Sequence, residues 1–445
     1  MKCSPSETVF PPIGRKPVVC HFDGGEITSD SGLLFLRQAD SKLRLIDRMS
    51  ASIYDKRASG KIKHDATDLL RERIFAISAG YDDANDLDKL SRDPGLLLAC
   101  DKQVGSVLAS QPTLSRFENS IDSKDIVCIF DTLAAIVLEQ LSKNTRSVVL
   151  DVDATDDPCH GQQEFQFYNH YYKNHCYLPL YLHVTGSDGV QRLMGAMLRP
   201  GNAGPKRGLF ILLRRAIALL RERIPNVSIT FRADGAFGDG EILNFCEDNK
   251  ISYTLALRGN SRLDKETDIV ARKVIADTVE LGIDQKQFVS FNYRAQKWRC
   301  ERRVIAKVET VLGKLNIRYV LTSRPSQQAK RVYQYYCERG DLENRIKEMK
   351  NDISAGRTSC HRFRANQFRL QLHTAACILW RAVQDALQGT RWETKQIGTL
   401  RLMVVKIAAR INQTSRRINL HLPTNSPYKE IWMYLHQSLS PPFRI

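Results

Sequence analysis

The sequence predicts an α/β protein: a mixed β-sheet with helices packed against it, between mainly helical segments at both ends. Three observations carry this expectation. From about residue 147 to 257, short β-branched runs alternate with amphipathic helical patterns, the arrangement of a sheet covered by helices. The stretches before 147 and after 356 show helical periodicity and N-cap residues instead. Charge also changes at these points. The 445 residues carry 66 Lys or Arg and 49 Asp or Glu, a net of +17. Residues 1–146 hold 20 basic against 21 acidic residues, a net of −1, whereas residues 357–445 hold 14 against 3, a net of +11. The remaining 32 basic and 25 acidic residues give 147–356 a net of +7. The chain is therefore read as three parts: a mainly helical 1–146, an α/β 147–356, and a basic helical 357–445.

In the first part, Val18–Phe22 is a short strand candidate, and Thr28 to Ser31 precede an apolar helix start at Gly32–Leu36. Asp65 or Thr67 caps a helix with Leu69, Leu70, Ile74, Phe75 and Ile77 on one side. Asp93-Pro94-Gly95 reads as a turn, Thr113–Asn119 as a helix start, and Asp125–Leu141 as a longer helix. In the middle part, Ser147–Asp153 is a β-branched run ending in acids. Cys176–Thr185 and Val190–Leu198 form a hairpin about Ser187-Asp188-Gly189. Helix Lys206–Arg223, strand Val227–Asp234, helix Gly238–Asn249 and strand Ile251–Leu257 follow. Three strands, a helix, a strand, a helix and a strand is the layout of a ribonuclease-H-like fold. Residues 261–325 break the alternation and read as a β-rich insertion with strands at Phe288–Tyr293, Arg302–Glu309 and Ile317–Leu321. One long helix from about Lys330 to Ile353 closes the part.

Composition narrows the function class. No apolar run approaches the roughly 18 residues of a membrane span, and Met1–Pro17 has no apolar leader. Eleven cysteines with no C-x-x-C pair suit free thiols in a reducing cytosol. Cys159, His160, His170, His175 and Cys176 match no zinc-ligand spacing. The positive charge points to a polyanion, with nucleic acid first; Tyr168, Tyr171, Tyr172 and Tyr177 suit either stacking on nucleotides or packing beside strands.

Three acids stand out by position. Asp153 ends the first core strand and Asp234 the fourth, and ligands of open α/β sheets gather at the carboxyl ends of strands. Glu343 lies on the helix after the insertion. Phosphodiester cleavage needs an activated water and a stabilised leaving oxygen, which two Mg²⁺ ions held by carboxylates supply. Asp151 shares a strand face with Asp153. Asp153 is preferred because it is nearer the strand end and begins an Asp-x-Thr arrangement; Asp151 is the alternative. On one continuous helix, Tyr336, Arg339, Glu343, Lys347 and Lys350 fall on a single stripe. One acid among three cations suits an acid that holds metal while its neighbours hold phosphates; a solvated charged face is the other reading.

Tyr336-x2-Arg339-x3-Glu343-x6-Lys350 resembles the YREK signature of bacterial insertion-sequence transposases, members of the DDE superfamily. Asp151-Val152-Asp153-Ala154-Thr155, Leu198–Asn202, Arg232–Phe237, Gly80–Asp86, Thr113–Asn119 and Ala365–Leu370 are similar to one branch, insertion-sequence family 1380, related to family 4. The resemblance implies that Asp153, Asp234 and Glu343 bind two Mg²⁺ ions, with Mn²⁺ able to substitute. It implies phosphate contacts from Tyr336, Arg339 and Lys350, and Lys347 joins them as a DNA-binding candidate by its place on the stripe. It also implies a base-stacking aromatic in the insertion, for which Trp298 is the candidate; packing on the core is the alternative for that residue. The partners implied are DNA, as terminal inverted repeats and target, and a second copy of the chain, in a bacterial cytoplasm at the nucleoid and with no membrane. Gly204-Pro205-Lys206 departs from the pattern, which has a more polar segment there. An inactive DNA-binding regulator and a stand-alone metal nuclease are the competing classes.

Overall fold

The strand runs of the middle part pair into one sheet in the computed structural model, which describes residues 8–325 and 327–440. Its strands are β1 (Ser147–Ala154), β2 (Leu180–Thr185), β3 (Gln191–Met197), β4 (Ser228–Ala233), β5 (Ser252–Leu257), β6 (Lys286–Tyr293), β7 (Arg302–Val311) and β8 (Lys314–Thr322). The order across the sheet is β6-β7-β8-β5-β4-β1-β2-β3. β1, β4 and β5 run parallel at the centre, and the remaining neighbours are antiparallel. Central parallel strands are covered on both faces, and their burial shows it: Leu150, Val152, Ile229, Phe231, Tyr253 and Leu255 are all buried.

The helices of this unit are α1 (Ser123–Glu139), α2 (Leu209–Arg223), α3 (Gly240–Asp248), α4 (Ser261–Leu281), α5 (Ala329–Cys337) and α6 (Gly340–Asn351). Asp122 and Asp125 form a capping box at the start of α1. Asp239 caps α3 and Asn260 caps α4 through their side-chain oxygens. A small three-stranded sheet of Asp157–Pro158, Asn174–Tyr177 and Phe167–Asn169 follows β1. The single strand expected over Cys176–Thr185 is thus two strands in two sheets, divided at Pro179, which has no N–H to continue a ladder.

Two further expectations are corrected. Residues 261–325 are not a separate β-rich insertion. They begin with the 21-residue helix α4, and their three strands extend the core sheet through β8 and β5. The apolar positions of α4 are sparse, which hid its period in the sequence. The long helix Lys330–Ile353 is two helices. Arg339 N–H donates to the Tyr336 carbonyl and Leu342 N–H to the Arg339 carbonyl, both three residues back, and Gly340 begins α6. Gly weakens a helix interior, and tightened turns at a Gly produce a break of this kind.

The chain forms two compact units: Ile121–Lys350 with Ala355–Thr374, and Met1–Ser120 with Asn351–Ser354 and Ala375–Ile445. The second unit holds helices Leu33–Leu43, Ala66–Ala79, Gln111–Ser120 and Lys429–Leu439 among others. Asp65, Asp83 and Asp93 cap its helices, so Asp93-Pro94-Gly95 is a helix start, not a plain turn. Arg73 and Glu118 form a buried ion pair at 2.8 Å. The C-terminal stretch is not wholly helical: Ala409–Gln413 and Ile418–His421 pair, and Ile27–Thr28 joins them in a three-stranded sheet. Among the described residues no cysteine is joined in a disulfide, and no helix is long and apolar enough to cross a membrane. The first seven residues of the Met1–Pro17 stretch lie outside the described residues.

Candidate active site

Parallel register places the acids. Ser228 pairs with Ser147 and Ala233 with Val152, so the next step up each strand sets Asp234 beside Asp153 at the carboxyl ends of β4 and β1. Asp234 has extended backbone and caps the short 3₁₀ turn Gly235–Phe237, accepting from Ala236 N–H at 3.0 Å. Asp153 Oδ1 accepts from Ala154 N–H at 2.9 Å. Glu343 stands in the first turn of α6, where the exposed helix N–H groups favour an acid.

Arg339 joins them. Its Nη2 is 2.7 Å from Asp153 Oδ2 and its Nη1 3.0 Å from Glu343 Oε1, while its Nε is buried with no hydrogen-bond partner. The helix break makes this possible, because Arg339 sits in the turn between α5 and α6 and its side chain is buried between the two carboxylates. Burial pushes Asp153 up to about 6; Arg339 opposes the rise, and the charges of Asp234 and then Glu343 add to it. At Asp153 burial therefore outweighs the neutralisation that Arg339 supplies.

Asp151 lies two residues earlier and differs in every respect. It is fully buried and paired with Arg232, whose Nε and Nη2 reach its two oxygens at 2.6 and 2.9 Å. Gln191 Nε2 donates to it at 2.9 Å. Arg232 Nη1 also donates to the Tyr335 carbonyl at 2.7 Å, tying α5 to the sheet. Arg232 escaped the sequence reading, although its place two residues before Asp234 and in register with Asp151 was a usable signal.

The remaining candidates separate. Tyr336 lies on α5 against the cluster of Ile305, Val320, Val332 and Tyr333, and burial raises its phenol. Lys350 Nζ contacts Thr155 Oγ1, Asp156 O and Asp156 Oδ1 at 3.2, 3.0 and 2.9 Å, so it secures the loop after β1. Lys347 is exposed on α6. Across the helix break Tyr336, Arg339 and Glu343 still line one cleft, whereas Lys350 turns to the loop after β1. Trp298 is only 6% exposed. Its ring meets Tyr293 edge-on at 5.5 Å and the Arg302 guanidinium at 5.3 Å, the packing alternative stated for it. A cleft of 380 Å³ adjoins Glu343, lined by Leu257, Gly259, Arg318, Tyr319, Tyr336 and Arg339 among others. Arg318, on β8, is a cation that no motif had singled out.

In donor type, Asp153, Asp234 and Glu343 suit a hard divalent cation. Among the described residues, however, no three His, Cys, Asp or Glu side chains converge closely enough to hold a metal ion. Arg339 stands between two of the three acids, and its charge offsets theirs.

The family described as transposase DDE domain group 1 matches residues 10–442. No curated protein matches the chain. Among solved structures it is similar to the piggyBac transposase synaptic complex with hairpin DNA, determined by cryo-EM. The identity is 12%, the match covers 92% of this chain and 82% of that one, and the TM-score is 0.43.

Proposed function

We propose, from the premise that this chain belongs to the transposase DDE domain group 1 family, that it is a bacterial insertion-sequence transposase of the YREK type with a ribonuclease-H-like core. It binds the terminal inverted repeats of its element as a homodimer, cleaves a phosphodiester at each end and joins the freed 3′-hydroxyls to target DNA, in the cytoplasm at the nucleoid. The observation that carries this reading is Arg339 bonded to both Asp153 and Glu343, with Asp234 at the neighbouring strand end.

Asp153, Asp234 and Glu343 are the residues that would hold Mg²⁺, or Mn²⁺ in its place. When bound, the ions supply an activated water and charge stabilisation on the leaving oxygen. Arg339, bonded to Asp153 and Glu343, is the guanidinium that would pair with a DNA phosphate were those acids to hold metal. Tyr336 and Arg318 line the adjoining cleft and offer a hydroxyl and a cation to the backbone there. Lys350 fixes the Thr155–Asp156 loop and through it the direction of Asp153.

The test is Glu343→Gln. Cleavage of DNA carrying the element's ends should fall by about 10³-fold or more, the scale of losing a group required in the transition state, with end binding by mobility shift retained. Undiminished cleavage by this variant removes Glu343, and with it the assignment.

A further inference from the structure

The segment between β1 and β2 holds a second surface beside the acids. From Phe165 to His175 the sequence carries five aromatic rings, two histidines and one lysine, and no acid. Strands Phe167–Asn169 and Asn174–Tyr177 pair as a hairpin, with Tyr168 opposite His175. An aromatic run that served a core would be covered. Here Tyr171, at the tip, is 85% exposed, and Phe165, Phe167 and Tyr168 are exposed as well. The rings of Tyr171 and Tyr172 meet edge-on at 4.9 Å, and Tyr168 meets His170 and His175 edge-on at 5.2 and 5.5 Å. The exposure of Tyr171 leaves its ring open to a partner.

The tip is held in place. Asn169 Oδ1 accepts from the N–H groups of Tyr171 and Tyr172 at 3.0 and 3.2 Å, and Asn169 Nδ2 donates to the Gly201 carbonyl at 2.9 Å. Gly201 belongs to the Leu198–Asn202 stretch. A Cβ there would lie 2.1 Å from the Cys176 carbonyl oxygen and 2.5 Å from that of Phe167, so the hairpin packs on this stretch because the residue is Gly. The hairpin is also tied to the loop that follows Asp153. Asn174 Nδ2 donates to Asp156 Oδ2 at 3.3 Å, and Lys350 Nζ holds Asp156 Oδ1 at 2.9 Å. Tyr172 feels the acids: burial raises its phenol to about 12, and the charges of Asp156 and then Asp153 add to the rise. Aromatic rings with a cation and no acid suit unpaired nucleotides, because every base has a π-face to stack and the backbone is anionic. A duplex hides those faces, so such a surface selects single strands.

We propose that the Phe167–Tyr177 hairpin, with Tyr171 at its tip, is a stacking site for unpaired DNA nucleotides beside Asp153. The choice of DNA rests on the transposase reading; the stacking does not need the acids to cut. The experiment is fluorescence anisotropy of the full chain with labelled oligothymidine, and with its duplex with oligodeoxyadenosine, in EDTA. The wild type should bind the single strand. Tyr171→Ala should weaken that binding by about fivefold or more and leave duplex binding within about twofold. Tyr171→Phe and Tyr171→Trp keep a ring and should bind as the wild type does. Tyr171→Leu keeps apolar bulk without a π-face and should weaken binding as Ala does. Iododeoxyuridine in the single strand should photocrosslink to the Phe165–His175 peptide. The exposure of Tyr171 keeps these variants folded. Single-strand affinity indifferent to Tyr171→Ala overturns the proposal. So does a Tyr171→Leu chain that binds as well as the wild type, the result expected of an apolar protein contact, or a crosslink that maps elsewhere. Tyr171-dependent binding in a chain whose cleavage is unchanged by Glu343→Gln sinks the transposase reading alone.

Discussion

Two pairs of residues on the same two strands differ in what they do. β1 and β4 run parallel in one register, so Asp151 lies beside Arg232 and, two residues on, Asp153 lies beside Asp234. The face is the same and the backbone geometry is the same. The first pair joins an acid to a base, fully buried, with both carboxylate oxygens and the guanidinium satisfied. The second joins an acid to an acid at the strand ends, and its nearby cation arrives from outside the sheet, on the turn before α6. Changing one residue type at one register step separates a contact that holds the sheet from a site that repels itself unless a cation is supplied. The comparison says which acid serves the fold and which serves the chemistry, and it can be broken by exchanging their losses.

The largest expected effect is on activity. Asp153→Asn should lower DNA cleavage by about 10³-fold or more and change unfolding stability by no more than about 1 kcal/mol, since it removes a charge the site does not fully neutralise. Asp151→Asn should do the reverse in stability. It leaves Arg232 buried without its partner, which costs on the order of 3–5 kcal/mol, measured by urea unfolding followed by circular dichroism. If Asp151→Asn is as stable as wild type and loses cleavage directly, the two acids have been assigned the wrong way round.

The core was legible because its signals are local. Period-2 apolar runs and their turns located all eight strands of the large sheet to within a few residues, with Cys176–Thr185 running two strands together, and strand-end position singled out Asp153 and Asp234. What was hidden depends on contacts far apart in sequence. Nothing near residues 261–325 says that β8 pairs with β5, so a sheet extension looked like an insertion. The break at Glu338–Gly340 was hidden because the periodic stripe from Tyr336 to Lys350 is compatible with a continuous helix. The Gly there was a weak hint, and its meaning appears only when Arg339 is seen reaching both Asp153 and Glu343. The burial of Trp298 depends on Arg302 and on the close approach of Gly240, whose added Cβ would lie 3.0 Å from the indole.

A smaller effect tests the cation of the second pair. Arg339→Ala removes the charge between Asp153 and Glu343. The chain without DNA should then bind Mn²⁺ about tenfold more tightly, near 1.4 kcal/mol, a magnitude in keeping with a nearby charge in a partly screened site. Calorimetric titration reads this directly. An unchanged or weaker Mn²⁺ affinity means that Arg339 does not compete with the metal for these acids.

The smallest effect uses a third acid of the same stretch. Asp157 follows β1 by three residues, is almost fully buried, and accepts from Thr358 Oγ1 at 2.6 Å through one oxygen, while the other has no partner. Lys350, which could neutralise it, is bonded to Asp156 instead. Burial raises Asp157 to about 7 from its ordinary 3.8, against the hydrogen bond from Thr358 and the charge of Lys350. The sign follows from proton binding. Between about pH 4 and 7 the folded chain holds a proton that the unfolded chain has released, so this contribution to stability is present at acid pH and lost as pH rises through 7. Asp157→Asn keeps a carbonyl for Thr358 and cannot ionise. It should flatten the pH dependence and, at pH 8, raise stability by on the order of 2 kcal/mol. Unfolding midpoints of the two chains at pH 5 and pH 8 decide it. Parallel slopes would place Asp157 with Asp151, as an acid whose charge the fold already balances, and would leave Asp153 as the one under-neutralised carboxylate of the three.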